Sequence, residues 1–162
     1  LGIHGDTYDV VFTSEGVLGW LPDLAAWANT VCGLLNESGY LYLFDSHPFS
    51  LMFDEGGLRD DRYEIRYPYF SNEPDVEDAI GGYASDAKQG VAAYFWMHTI
   101  ADIVNALINE GMRIGFINEY PESFYDVGGM VRSVKTGLYE YPHNQNRYPM
   151  SFSLKASKGS AQ

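Results

Sequence analysis

The chain has 162 residues, of which 46% are hydrophobic and 20% charged, a composition that fits one packed domain and excludes an intrinsically disordered chain. The formal net charge of −12 excludes the basic face with which proteins bind nucleic-acid phosphates, and it disfavours docking on anionic lipid. Cys32 is the single cysteine, so no disulfide can form within these 162 residues. Neither a signal-peptide pattern nor an apolar run of membrane-spanning length is present, so we expect a cytoplasmic protein.

The N-terminal part has the pattern of a β-α-β unit. Residues 8–13 are a continuous run of β-branched and aromatic side chains, which is typical of a strand buried on both faces. A helix is predicted to begin after an N-cap at Asp23, to present one apolar face and to end in a turn closed by Gly39. Residues 40–44 form the second predicted strand, which should run parallel to the first because a helix connects them.

A long insertion separates this unit from the remaining elements. We predict that residues 47–95 form a lid or substrate insertion, in which residues 63–67 and 91–97 make a small antiparallel pair. Three further elements are predicted: a helix over residues 99–110 and strands over residues 112–120 and 149–156. The polar residues 158–162 should form a disordered tail.

The first predicted strand has the composition of a central strand, although no earlier strand is available to cover one of its edges. An exposed edge of this kind is an aggregation hazard. We therefore expect either that further strands precede Leu1 or that this edge pairs with another copy of the chain in a homodimer.

Several segments, taken in order, resemble small-molecule class I S-adenosylmethionine-dependent methyltransferases. Residues 8–23 are similar to the fourth strand and following turn of that family, residues 34–41 to the next helix-to-strand element, and residues 44–49 to the end of the fifth strand. Residues 96–111 resemble the next helix, and residues 149–156 resemble the final strand. The resemblance therefore spans nearly the whole chain.

The resemblance implies an α/β, Rossmann-like methyltransferase sheet that is mostly parallel with an antiparallel last strand. In that family the strand order is 3-2-1-4-5-7-6, and residues 1–157 would contribute strands four to seven, the C-terminal part of the domain. No G-x-G-x-G pattern occurs in the sequence, so the glycine-rich loop after the family's first strand is missing. The fold is accordingly expected to be incomplete at its N-terminus.

The resemblance also implies that S-adenosylmethionine is the cofactor and that a small molecule is methylated. The residues expected to bind the cofactor lie at the end of the first predicted strand and just after it. They are Thr13, Ser14, Glu15, Gly16 and Trp20, and Trp20 would form an apolar wall. A plain turn at Ser14 and Glu15, and core packing of Trp20, remain open as alternatives. Methyl transfer requires mainly that the reactants are positioned and that water is excluded.

Two histidines are candidate catalytic residues. His47 follows the second strand and so points toward the ligand side of the sheet, where it would act as a general base or bind the substrate; the alternative is a solvated loop histidine. His98 precedes a helix beside Trp96 and would either line the acceptor pocket or pack at the helix start. The four histidines show no metal-ligand spacing, so we expect no metal.

Aromatic side chains are frequent in the predicted insertion. They would form either a cage for a flat or cationic methyl acceptor or a small satellite core under the lid. The residues concerned are Tyr63, Tyr67, Tyr69, Phe70, Tyr83 and Tyr94.

Two other functions are compatible with the sequence. Ser14, Asp45 and His98 follow the chain order of an α/β-hydrolase triad, although Phe12 stands where the nucleophile elbow requires glycine. Alternatively, the chain is a catalytically incomplete binding or dimerisation module derived from a methyltransferase.

Overall fold

A computed structural model of the protein describes residues 5–77, 80–82, 85–89 and 92–159. The helices are α1 (Leu24–Leu34), α2 (Pro48–Leu51), α3 (Glu55–Arg59) and α4 (Ile100–Asn109), with a 3-10 helix at Leu18–Trp20. The strands are β1 (Tyr8–Ser14), β2 (Leu35–Ser46), β3 (Asp75–Glu77), β4 (Ile80–Gly82), β5 (Ser85–Gln89), β6 (Ala93–Phe95), β7 (Met112–Tyr120), β8 (Val131–Arg132), β9 (Tyr139–Glu140) and β10 (Ser151–Lys158).

Four strands form the main sheet of the described residues, in the order β1-β2-β10-β7. The strands β1 and β2 are parallel, as predicted from the helix that connects them. The last strand, β10, is antiparallel to both of its neighbours, β2 and β7. An antiparallel last strand is therefore present, but the prediction of a mostly parallel sheet is wrong. Because β10 inserts between β2 and β7, it makes two pairings of this sheet antiparallel and leaves one parallel.

Helices α1 and α4 pack on one face of this sheet. Asp23 caps α1 by accepting a hydrogen bond from the Ala26 amide at 3.0 Å, and Thr99 forms a capping box with Asp102 at the start of α4. The predicted N-cap at Asp23 is therefore confirmed, and so is the predicted helix at residues 99–110. Apolar side chains of the two helices pack with those of β2 and β10 in the main core, whose fully buried members are Ala28, Leu35, Leu41, Leu43, Ile103, Leu107, Phe152, Leu154 and Ala156.

The opposite face of the sheet carries neighbouring aromatic rings. The Phe12 and Tyr42 ring centroids are 5.9 Å apart, and those of Tyr42 and Phe116 are 6.3 Å apart. Within the described sheet β1 is an edge strand, and its side chains Tyr8, Val10 and Phe12 are 52%, 45% and 60% exposed. The edge position agrees with the expectation from the sequence, but the prediction that this strand is buried on both faces is wrong for the described residues, since no element covers its aromatic face there.

The junction between α1 and β2 differs from the prediction. The helix ends at Leu34 and β2 begins directly at Leu35, so Gly39 lies inside the strand. The register of β1 against β2 shifts between Tyr8 and Val10, opposite this glycine. A Cβ atom at Gly39 would lie 2.8 Å from the Tyr8 carbonyl oxygen, so the glycine permits a close approach of the strands and does not end the helix.

The predicted insertion contains α2, α3 and an antiparallel pair of β3 and β6. The prediction of a strand within residues 91–97 is confirmed by β6. Its partner is β3 and not residues 63–67, where Ile65 makes an isolated bridge with Phe53. A second core joins the insertion to the segment after β7, and its buried members are Phe53, Leu58, Met130, Tyr141, Tyr148 and Met150.

The last strand extends past its predicted end. Lys158 is its final residue, and the ammonium group donates a hydrogen bond to the Leu35 carbonyl at 3.0 Å and lies 3.3 Å from the Glu37 carboxylate. Lys158 therefore does not belong to a disordered tail, and residues 160–162 lie outside the described residues. In the described ranges, no helix combines the length and the apolar character needed to cross a membrane.

Candidate functional site

The carboxyl ends of β1 and β2 lie side by side, and the chain leaves β1 in a tight turn. Glu15 and Gly16 are both left-handed, with φ angles of 62° and 86°. Glycine adopts this conformation freely, whereas for Glu15 it is uncommon and needs support from neighbouring groups. One support is the Glu15 amide, which donates a hydrogen bond to the Phe44 carbonyl of β2 at 2.9 Å.

A second support is the carboxylate of Asp45, which is 3% exposed. It accepts hydrogen bonds from the amides of Gly16 at 2.7 Å, Leu18 at 3.2 Å and Ser46 at 2.7 Å. Burial raises the pKa of Asp45 above its ordinary value, and the hydrogen bonds from backbone amides oppose that shift. Asp45 therefore attaches the turn after β1 to the end of β2.

A cleft of about 340 Å³ opens at this turn, and we call it the turn cleft. Its lining includes four of the predicted site residues, namely Glu15, Gly16, Trp20 and His98. Rings of Phe95, Trp96, Phe124 and Tyr125 complete its aromatic walls. Residues that the sequence placed at one strand end and at a distant helix start are thus brought together in one cleft.

The other predicted cofactor residues lie within β1. Thr13 is 9% exposed, Ser14 is half-buried, and neither is among the described residues that line the turn cleft. Both residues lie in the strand that precedes the turn. A cofactor contact through their side chains remains a prediction.

A second cavity, of about 290 Å³, adjoins the turn cleft, and we call it the insertion cavity. The two share the residues Trp20, Ser46, Leu51, Phe95 and Tyr125. Trp20 and Phe95 meet edge to face with ring centroids 6.0 Å apart, so they form part of the common wall. The insertion cavity also has charged lining residues: Glu55, Arg66 and Asp75.

Both ring nitrogens of His47 have partners. Its Nδ1 accepts a hydrogen bond from the Phe49 amide at 3.1 Å and so caps α2, while Nε2 lies 2.8 Å from a carboxylate oxygen of Glu119. Burial lowers the pKa of His47, and Glu119 partly offsets this effect. A catalytic role for His47 remains a prediction, and it would require one of these bonds to open.

His98 lines the turn cleft, and its Nε2 donates a hydrogen bond to the Leu21 carbonyl at 2.8 Å. The hydrolase alternative requires a link from Asp45 to this histidine. In the described part of the chain no hydrogen bond joins them, since the bonds of Asp45 come from backbone amides. The geometry therefore does not support a Ser14–His98–Asp45 triad.

The aromatic residues of the insertion do not form one cage. Tyr67 lines the insertion cavity, and Tyr63 packs edge to face on Phe53 and Tyr148 of the second core. The others lie elsewhere: Tyr69 packs on Phe70, which is 86% exposed, Tyr94 stacks on Trp96, and Tyr83 lies outside the described residues.

Sequence reasoning missed the part that Asp45 plays in the site. The rule that ligand sites lie at the carboxyl ends of parallel strands would have identified it, because Asp45 directly follows the second predicted strand. Phe95 and Tyr125 were also missed. They come from the insertion and from the loop after β7, and no local pattern in the sequence shows that these segments meet.

Solved structures with a similar fold are S-adenosylmethionine-dependent methyltransferases. A candidate methyltransferase of Listeria monocytogenes is 16% identical, with a TM-score of 0.57, and the match covers 98% of this chain and 64% of that one. A methyltransferase of Mesorhizobium loti is 16% identical, with a TM-score of 0.54 and coverages of 96% and 64%. A methyltransferase of Clostridium acetobutylicum ATCC 824 is 9% identical, with a TM-score of 0.54, and the match covers 98% of this chain and 61% of that one.

This chain has the class I methyltransferase fold. It spans 61% to 64% of the length of these three structures, and at identities of 9% to 16% the likeness establishes the methyltransferase fold and not the reaction. No protein-family model matches the sequence, and no curated protein is similar to it in sequence.

Proposed function

We propose that the protein transfers a methyl group from S-adenosylmethionine to a small molecule, with the turn cleft as the cofactor site. The observation that carries this proposal is that Glu15, Gly16 and Trp20, which the resemblance places beside the cofactor, line one cleft at the carboxyl ends of two parallel strands. Ligands of open α/β sheets bind at such strand ends. The order β1-β2-β10-β7 lends further support, because it agrees with strands four, five, seven and six of class I methyltransferases.

The residues around the turn cleft fit an adenosyl sulfonium. Trp20 is 53% exposed and offers a flat apolar surface on which a purine ring can pack. The exposed carboxylate of Glu15 suits hydroxyl groups or a positive charge. At Gly16 an added Cβ would meet no atom within 4 Å, so the backbone of the turn is open to a ligand.

Bound S-adenosylmethionine supplies an activated methyl group, and the protein's task is to position the acceptor and to exclude water. The insertion cavity is the proposed acceptor site, because it shares a wall with the turn cleft. We assign the role of base to His98, for acceptors that must lose a proton. Its Nε2 carries the proton donated to Leu21, which leaves Nδ1 as the accepting atom. His47 would position helix α2 and the wall of the turn cleft next to this helix.

Calorimetric titration with S-adenosylhomocysteine tests the proposal. The wild-type chain should bind it, and Trp20→Ala should weaken binding by about tenfold, which corresponds to loss of one stacking contact. Phe70→Ala is the matched control, because this ring is 86% exposed and is not among the described residues that line the turn cleft. Binding should therefore be unchanged. Equal affinities of the two variants, or no binding by the wild type, would contradict the proposal.

We also propose that the edge of β1 pairs with a second copy of the chain in a homodimer. The exposed apolar side chains Val10 and Phe12 on this edge strand support it, since exposed edges of this kind pair readily. Light scattering after size exclusion should give twice the chain mass for the wild type and the chain mass for Phe12→Lys. Val134→Lys, at a fully exposed apolar residue elsewhere, should remain dimeric. A monomeric wild type would exclude the dimer.

A further inference from the structure

The insertion cavity is lined by aromatic rings from separate segments of the chain. Trp20 comes from the 3-10 helix, Phe95 ends β6, and the remaining rings are Phe53, Tyr67 and Tyr125. The face of an aromatic ring carries a partial negative charge and attracts cations, particularly where several rings surround an ammonium group. A cavity of about 290 Å³ lies at the small end of the range for ligand pockets, so its ligand has roughly one or two rings.

Among the side chains of residues 5–76 and 92–159, the uncompensated charges of this cavity are negative. No Lys, Arg or His nitrogen of these side chains lies within 4.0 Å of the carboxylates of Glu55 and Asp75. Arg66 is the one cation among the described lining residues, and it lies 3.6 Å from the Asp54 carboxylate and 5.0 Å above the Tyr67 ring. Its charge is therefore already balanced by groups of the protein.

We propose that the insertion cavity binds an organic cation, namely an amine with an aromatic or apolar body, and that the methyl acceptor belongs to this class. The ammonium group is attracted by Glu55 and Asp75 and by the ring faces, while the body packs against Trp20 and Phe95. A carboxylate ligand of the same shape is repelled by the two acidic side chains. The claim that the cation is methylated rests on the proposed function, whereas its binding does not require the cofactor.

Three probes that share a phenyl ring and differ in charge test the inference: phenethylamine, phenethyl alcohol and hydrocinnamate. Calorimetry at neutral pH and low salt should show that the amine binds about tenfold more tightly than the alcohol, and that hydrocinnamate binds weakest. Added salt should reduce the preference for the amine, since the two carboxylates are partly exposed to solvent. Quenching of Trp20 fluorescence by the amine would be a second measure of the same binding.

Paired double variants separate the cavity carboxylates from the overall charge of the protein. Glu55→Gln with Asp75→Asn should abolish the preference for the amine. Asp60→Asn with Glu64→Gln is the matched control, because it removes the same charge from two exposed side chains that pair with Arg62 and do not line the cavity as described. Circular dichroism of both variants establishes that they fold.

The outcomes distinguish this inference from the proposed function. Tighter binding of hydrocinnamate would make Arg66 the dominant charge and overturn the inference, and so would equal binding of the three probes or equal loss in both double variants. If wild type still bound S-adenosylhomocysteine in any of these cases, the methyltransferase proposal would stand with another class of acceptor. If the amine bound but S-adenosylhomocysteine did not, the cation site would stand without that proposal.

Discussion

The carboxylate of Asp45 accepts a hydrogen bond from the amide of Gly16 at 2.7 Å, although the two residues are 29 positions apart in the chain. The bond joins the ends of two parallel strands, and the same carboxylate also accepts from the Leu18 amide. Because the left-handed conformation of Glu15 is uncommon for a residue with a side chain, the turn after β1 depends on such fixed partners. The shape of the turn cleft therefore depends on a side chain at its base.

Asp45→Asn should disrupt this turn while keeping the size of the side chain. One amide of the turn would then face an NH₂ group instead of an acceptor, so we expect the free energy of unfolding to fall by about 1–3 kcal/mol. Affinity for S-adenosylhomocysteine should also fall. Urea denaturation and calorimetry measure the two effects, and Asp9→Asn, at an exposed side chain of β1, is the control for the change of charge. Equal stability of the two variants would contradict the role of Asp45.

The helices and strands that follow from local apolar patterns and capping residues could be predicted from the sequence. Residues 8–13 do form a strand, the cap at Asp23 does begin a helix, and residues 99–110 do contain a helix, although one face of the strand is exposed. Sheet order was implied by the resemblance alone. That order already places β10 between β2 and β7, a position set by long-range packing that no local pattern records, and with β10 antiparallel it makes two of the three pairings in this sheet antiparallel.

The candidate site was predicted only in part for the same reason. Strand-end residues such as Glu15 and Gly16 follow from the position of a strand, and they do line the turn cleft. Of the aromatic residues predicted to form either a cage or a satellite core, Tyr67 lines the insertion cavity and Tyr63 packs against the second core. Whether a given tyrosine lines a cavity or packs in a core depends on the path of the loops between the strands. The pattern of apolar residues in the sequence does not determine that path.

Glu119 should hold the pKa of His47 above the value that burial alone would give. Burial lowers the pKa of His47 and Glu119 raises it, so Glu119→Gln should lower this pKa further. NMR titration of the ring protons measures the shift. Glu110→Gln is the control, since Glu110 accepts a hydrogen bond from Asn29 on the helix side of the sheet, and it should leave His47 unchanged.

The same substitution has a consequence for stability. A histidine with a lowered folded pKa contributes stability that is present above its unfolded pKa of 6.5 and is lost as pH falls through the folded pKa. We therefore expect Glu119→Gln to lose stability more steeply than wild type between neutral pH and about pH 5. Chemical denaturation across this range measures it, and a shallower loss than in wild type would argue against the pairing.

Gly19 allows Phe95 to close the wall between the two cavities. A Cβ atom at this position would overlap the Phe95 ring, so Gly19→Ala must displace that ring or the 3-10 helix. We expect a loss of about 1–3 kcal/mol in the free energy of unfolding, together with weaker ligand binding. Gly33→Ala is the matched control, because an added Cβ meets no atom within 4 Å on helix α1. That variant should gain about 0.5–1 kcal/mol. Similar effects of the two changes would show that contact with Phe95 does not matter.

The hydroxyl group of Tyr141 has no hydrogen-bond partner within the described residues, although its side chain is only 1% exposed. Burial raises the pKa of Tyr141 to about 12, so the phenol stays protonated. Because an unpaired buried hydroxyl costs free energy, Tyr141→Phe should leave stability unchanged or raise it by up to about 1 kcal/mol.

The control is Tyr120→Phe, which removes a bond of 2.9 Å between the Tyr120 and Ser153 hydroxyl groups and should lower stability by about 0.5–1.5 kcal/mol. Thermal and urea denaturation of both variants give the comparison. If Tyr141→Phe were the more destabilising of the two, its hydroxyl would have a partner in solution, such as an ordered water in the second core. The contrast therefore tests the packing beneath the insertion cavity without any ligand.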